Sequence, residues 1–277
     1  MKLNKNILGF AMAAMALSSC NMDYNEYTAY DKEYIERSFA YVGGLMTTIY
    51  NDIDSDWGNL SGAMLSSATD ESEYSHDGNS IEDFYNGNWS AANPHQTIWS
   101  SAYEGITYCN EIIDNWSNLD FEQFKLNLDY DKQMYLYKNY VYEARWARAY
   151  FYFTLLRQYG GVPFKAHNTT GTEETALPRT SADEIFDFIA NECDSIKDKI
   201  IEDYSADKEH ILAKAETGRA NKYAVLALKA QAALYHASPL FSQGKSADEK
   251  KALWAAAVAA HKELIDAAEA KGMGLAS

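Results

Sequence analysis

Through most of this 277-residue chain, apolar residues recur every three or four positions, the period of helices that each bury one face. Between residues 95 and 116 the stripe is Ile98, Ala102, Ile106, Cys109 and Ile113. Between 131 and 159 it is Val141, Ala144 or Arg145, Ala149, Tyr152 and Leu156. Gly160-Gly161 and then Val162-Pro163 stop that helix, as a glycine cap followed by proline does. Two more helices are announced by identical tetrapeptides, Ser181-Ala182-Asp183-Glu184 and Ser246-Ala247-Asp248-Glu249. In each, the serine side chain can accept from an orphan amide while the glutamate reaches back. Behind the first run Ile185, Phe188, Ile189, Cys193 and Ile196; behind the second run Leu253, Ala256, Ala260 and Leu264. Residues 218–237 form an alanine-rich helix that ends before Pro239, and its small side chains admit close neighbours. A first helix is predicted over 31–51, with Gly43-Gly44 in its middle as a point of close packing.

The predicted starts near 95, 131, 181, 219 and 246 alternate as antiparallel pairs do. A tetratricopeptide pair takes about 34 residues; the spacing here is irregular. The fold class is therefore all-α, built of tetratricopeptide-like helical hairpins with long irregular loops. Residues 52–94 break the pattern. They are dense in Asp, Asn, Ser and Gly, and carry Trp57, Tyr74, Phe84, Tyr85 and Trp89 with no clear period. Apart from a short helix around Ser61 to Thr69, the segment reads as loops. Loops this long in a compact domain are functional or disordered, and the aromatic content argues against disorder.

The amino end predicts export. Lys2 and Lys5 precede an apolar stretch from Ile7 to Leu17, shorter than the roughly 20 residues a permanent membrane helix needs. Leu17-Ser18-Ser19-Cys20 then has the form of a bacterial lipobox, in which the Cys20 thiol takes a lipid. Two or more acyl chains, at about 0.8 kcal/mol per buried CH₂, suffice for stable anchoring. The expected organisation is a leader over 1–19, a lipid-anchored tether over 20–30 and a helical domain over 31–277. Cys109 and Cys193 sit at apolar helical positions; a bridge between them is left open, and no spacing supports a zinc or redox site.

The chain's 24 basic and 40 acidic residues give a net charge of -16, two units more negative once Lys2 and Lys5 leave. Such a chain repels nucleic acid and anionic membrane surfaces, so membrane attachment must come from the lipid alone. The six histidines are dispersed, which argues against a metal site, and no GxGxxG, Walker A, GxSxG or HExxH occurs. No cofactor is expected. Asp70, Glu71 and Glu73 could be imagined as a glycosidase pair, but a solvated acidic loop accounts for them more simply, and no enzyme is expected.

Sugars are held by flat apolar rings and planar hydrogen-bonding groups, best presented on loops. The loop segment supplies that mixture. Trp89 is the predicted platform, with Tyr85, Asn88, His76 and Tyr74 as neighbours. The competing reading is that Trp89 and Phe84 only pin the loop to the helices. Trp99, Tyr103, Trp146, Tyr150 and Tyr152 recur at helical intervals and are expected in the core. Arg145 and Arg148 are expected to pair with acids such as Glu143 or Glu104.

Several blocks together resemble the SusD/RagB nutrient-binding lipoproteins. They are Leu60 to Glu71 (LSGAMLSSATDE), Trp99 to Ile106 (WSSAYEGI) with Asn110, and Glu143 to Tyr152 (EARWARAYFY) closed by Tyr159-Gly160-Gly161-Val162-Pro163. Ala227 to Ala230 with Leu234-Tyr235 and Ala237 to Phe241 (ASPLF) completes the set. The blocks stand in family order after a lipobox. The resemblance implies a helical fold on tetratricopeptide-like pairs, anchored on the outer face of the outer membrane. It also implies a glycan-binding lid over a TonB-dependent transporter of the SusC type, without catalysis. The alternative is a helical-repeat interaction scaffold with no ligand affinity of its own. Family members continue well past the ASPLF block, so the chain is expected to be the amino-terminal part of such a protein. Its 246–271 helix would then lack a partner for part of its stripe.

Overall fold

A computed structural model of the chain describes residues 32–53, 62–94, 97–168, 177–205 and 216–274. Cys20, Trp57 and the tether lie outside them. The described helices are α1 (Lys32–Ile35), α2 (Phe39–Asn51), α3 (Asp83–Asn86), α4 (Trp99–Asn115), α5 (Tyr130–Tyr159), α6 (Ala182–Ile196), α7 (Lys222–Ala237) and α8 (Ala247–Ala270). Among the described residues there is no strand, and no helix is long and apolar enough to cross a membrane.

Local chemistry sets the boundaries. Ser181 and Ser246 each accept from the backbone N–H three residues on, and Glu184 and Glu249 bond back, so both predicted capping boxes form. The alanine-rich helix starts at Lys222, because the Asn221 side chain accepts from the Ala224 N–H. The predicted 31–51 helix is two helices. Ser38 adopts extended backbone and its hydroxyl accepts from Ala40 N–H, which starts α2 afresh. The helix expected around Ser61 to Thr69 is, where described, a single 3₁₀ turn at Leu65–Ala68.

From α4 to α8 each long helix packs on the next in the chain, as stacked hairpins do, and α2 lies against both α4 and α5. With neighbours on several sides, α5 buries far more than one stripe: Phe151, Tyr152, Phe153, Leu155 and Leu156 are all inside. One core runs through α2, α4, α5, α6 and α7, and takes in Cys109 and Cys193, which are free and buried. Burial pushes the Cys193 thiol up to about 12, so it stays protonated. The tight helix contact falls at Gly105, where any side chain would overlap the Phe151 ring; of the predicted pair, a methyl on Gly43 would only touch the Tyr140 hydroxyl at 3.5 Å, and Gly44 has open space around it. Between α4 and α5 the chain turns through Phe121, held at φ 49 and fully buried with its ring 4.2 Å from that of Phe39. Aromatic packing there offsets a backbone cost of about 1–3 kcal/mol.

Buried charges are paired across helices, though not as expected. Arg145 donates to both Glu192 oxygens, each at 2.8 Å, and Arg148 to Glu192 Oε1 at 3.0 Å and Asn110 Oδ1 at 2.8 Å. Glu143 lies two residues before Arg145, on the opposite side of α5, and cannot reach it. It accepts instead from Arg219, Asn139, Tyr50 and Tyr204 at 2.6–3.1 Å. Glu104 is exposed on α4 and accepts from the Tyr108 hydroxyl at 3.3 Å. Burial alone would raise the Glu192 carboxyl, but Arg145 and then Arg148 overcome it and hold it below its ordinary value.

On α8 only Ala257 and Ala260 are buried. Trp254, Val258 and Ile265 stand 46%, 66% and 53% exposed, and Leu234 of α7 flanks them along a hollow of about 440 Å³.

Candidate ligand-binding surface

The loop of residues 62–94 is built on its own small core of Ala63 and Ile81, against which Tyr74 and Phe84 pack. Asn79 caps the 3₁₀ turn Ser80–Glu82 through the Ile81 N–H, and that turn runs directly into α3. Gly87, at φ 87, ends α3 in the left-handed region that glycine adopts freely. The chain then doubles back, and the Trp89 N–H donates to the Asp83 carbonyl at 3.0 Å.

Asp83 is the hub of this turn. Its carboxylate accepts from Asn88 Nδ2 at 3.1 Å, Asn86 Nδ2 at 3.4 Å and Asn93 Nδ2 at 3.4 Å. Asn93 also bonds the Asn88 carbonyl at 3.1 Å, and Ser90 and Asn93 exchange backbone hydrogen bonds. A dense polar segment thus becomes ordered by bonding to itself.

The predicted site residues divide into two groups. Trp89 is 56% exposed and leans on Phe84, its ring centroid 4.8 Å away at 42°. Tyr85, on the same short helix as Phe84, is 62% exposed. Asn88 is exposed beside them, with one amide bond already committed to Asp83. Tyr74 and His76 form a separate pair, ring edge to ring face at 5.4 Å, and Tyr74 is half-buried against the loop's own core. Phe84, not Trp89, anchors the loop. Partial desolvation, with Glu82, Glu73 and Asp77 nearby, holds the Tyr85 phenol above its ordinary value, so it remains a donor. Among the described residues no group of three His, Cys, Asp or Glu side chains could hold a metal.

Trp99 departs from the core position that its helical period predicts. It is 40% exposed at the first position of α4, because a helix's opening turn has packing partners on one side only. Its ring meets Tyr159 edge-on at 5.1 Å and Tyr103 at 5.0 Å. The free side opens on a hollow of about 410 Å³ shared with Tyr103, Glu104, Thr107, Pro163 and Lys165. The Tyr103 hydroxyl donates to the Pro163 carbonyl at 2.6 Å, and Lys165 Nζ donates to Thr107 Oγ1 at 3.2 Å. The signal available in the sequence was Trp99's place next to a loop, at the very start of its helix. Trp146, Tyr150 and Tyr152 do pack on or into the core as expected.

Among solved structures, similarity extends to a SusD-like carbohydrate binding protein of Bacteroides fragilis NCTC 9343. That match has 19% identity and a TM-score of 0.60, and covers 84% of this chain and 41% of that one. A SusD superfamily protein of Bacteroides thetaiotaomicron VPI-5482 matches at 16% identity and TM-score 0.58, over 89% and 50% of the two chains. Surface glycan-binding protein A of Bacteroides uniformis matches at 17% identity and TM-score 0.55, over 83% and 46%. The chain spans half or less of the length of these relatives. No curated protein matches. Residues 23–234 match the family model SusD-like_3, described as starch-binding and associating with the outer membrane. With that match over most of its length and the helical fold of its solved relatives, the chain belongs to the SusD-like family.

Proposed function

We propose that the chain is a cell-surface glycan-binding lipoprotein, held in the outer membrane by lipid on Cys20. It captures oligosaccharide without cleaving it and delivers it to a TonB-dependent, SusC-like transporter. The observation that carries this reading is Trp89: a rigidly backed indole with more than half its surface open, beside an exposed tyrosine and an amide. A pyranose presents one face of C–H groups and a rim of hydroxyls. Trp89 and Tyr85 offer the flat apolar surfaces, and Asn88 and the Tyr85 hydroxyl the hydrogen bonds. Tyr74 and His76, paired with each other elsewhere on the loop, are assigned only a secondary role. Glu73, Asp77 and Glu82 near Tyr85 disfavour anionic sugars, so neutral glycans are the preferred class.

Glycan-array screening of the purified chain tests this reading. Retention of at least one neutral oligosaccharide, lost in Trp89→Ala, supports it, and equal retention by that variant removes Trp89 from the site.

The exposed face of α8 favours a second reading, a protein-interaction scaffold without ligand affinity. Trp254, Val258 and Ile265 form an apolar strip of the sort partner proteins cover. Co-purification with a barrel protein together with an empty glycan array would favour it.

A further inference from the structure

We propose that the hollow beside Trp99 is a second saccharide site, separate from the Trp89 loop and suited to a single neutral hexopyranose. It shares with the proposed function only the chemical class of its ligand, and its lining lies wholly outside residues 62–94.

The hollow has a built floor. Trp99 is fixed by Tyr159 and Tyr103, and Tyr103 is itself tied to the Pro163 carbonyl, so the indole face is presented in one orientation at little entropic cost. At about 410 Å³ the space lies at the small end of ligand sites, which run from about 300 to 1,000 Å³. That suits one ring and not an extended chain.

The rim decides between sugar classes. Glu104 contributes a carboxylate and Lys165 an ammonium, with the Thr107 hydroxyl hydrogen-bonded to that ammonium. With one carboxylate and one ammonium the rim carries no net charge, so a charged sugar gains from one what it loses to the other and still has its own charge to desolvate. Sugar hydroxyls both donate and accept, so a neutral ring satisfies Glu104 with its O–H and the Lys165–Thr107 pair with its oxygen.

The test uses the full chain labelled with 5-fluorotryptophan, its Trp89 and Trp99 resonances assigned by Trp89→Phe and Trp99→Phe. Methyl α-glucopyranoside, methyl β-galactopyranoside and methyl α-mannopyranoside are titrated to about 50 mM, since one-ring contacts are millimolar in affinity. Glucosamine and glucuronate serve as charged comparators. At least one methyl pyranoside should move the Trp99 resonance saturably, and do so equally in Trp89→Ala. The apparent Kd should rise about tenfold in Glu104→Gln combined with Thr107→Val. Saturation transfer from the Trp99 ring to the sugar's C–H protons in the unaltered chain reads the same contact with no substitution in the site. The proposal is overturned if none of the three neutral sugars moves Trp99, if a charged comparator moves it as strongly, or if the double variant binds unchanged. Loss of oligosaccharide binding at Trp89 with the Trp99 response intact would touch the loop reading alone.

Discussion

The ring of Trp89 rests on that of Phe84 at 4.8 Å and 42°, while the indole's other side faces solvent. Phe84 joins the loop's own small core and Trp89 does not. Anchoring and display are therefore carried by different residues, and they separate on mutation. Trp89→Ala should leave the thermal midpoint within about 2 °C, as exposed sites away from special features usually do. Phe84→Ala should unsettle the loop and weaken binding without touching the ligand. Thermal melts followed by circular dichroism, beside tryptophan-quenching titrations, distinguish the two.

Asp83 holds three amide side chains in one turn. Asp83→Ala takes the acceptor from Asn88 Nδ2 and leaves Asn93 Nδ2 only the Asn88 carbonyl, and should increase proteolytic cutting within 83–93, while the helices keep their resistance. Limited chymotrypsin digestion read by mass spectrometry checks this, since Phe84, Tyr85 and Trp89 are its cleavage sites within the turn. An unchanged cleavage pattern would mean that the turn is held by its backbone bonds alone.

Two glycines should respond in opposite directions to the same change. At Gly105 a methyl meets the buried Phe151 ring, so Gly105→Ala should lose about 1–3 kcal/mol to overpacking, more than the about 0.5–1 kcal/mol that alanine gains in a helix. At Gly44, within α2 and with open space around it, only the gain remains, and Gly44→Ala should stabilise by about 0.5–1 kcal/mol. Urea unfolding of both variants supplies the comparison.

Stability should fall with acid. Glu192, Asp194 and Glu263 all sit below their ordinary values of 4.5, 3.8 and 4.5. Burial opposes this at Glu192 and Asp194, but Arg145 with Arg148, and Lys197 with Lys229, overcome it; at Glu263 Lys197 and then Lys229 are the leading causes. A carboxyl whose folded value is depressed adds stability that is full above its unfolded value and disappears as pH falls through the folded one. The midpoint should thus change little between pH 7 and about 5 on account of these groups, and drop below about 4. Glu192→Ala, which strands Arg148 in the interior, should cost about 3–5 kcal/mol at neutral pH. Melting curves across pH for both chains check the sign and the window.

How much of this was legible from the residues depended on how local the cause was. The starts of α6 and α8 were readable because Ser181 with Glu184, and Ser246 with Glu249, close their caps within four residues. The break at Ser38 was less visible, since a serine inside an apolar period reads equally as a solvent-facing helix position. Partners that depend on helix packing were not readable. Nothing near Arg145 in sequence points to Glu192, 47 residues on, and the nearer Glu143 lies on the wrong side of its own helix. The loop's composition marked it as a place for Trp89 and Tyr85 to be displayed, and both are exposed. That Tyr74 would turn inward with Ile81, and that Trp99 would open on a hollow, follow from tertiary placement that a helical period does not encode.

Isothermal titration of the purified chain and of Trp89→Ala, with the neutral oligosaccharide that the array retains, reaches the central claim most directly. Capture on the Trp89 face predicts measurable heat for the unaltered chain and an affinity at least about tenfold weaker for the variant, equivalent to about 1.4 kcal/mol, with identical circular dichroism spectra. Equal affinity in the two chains would contradict it.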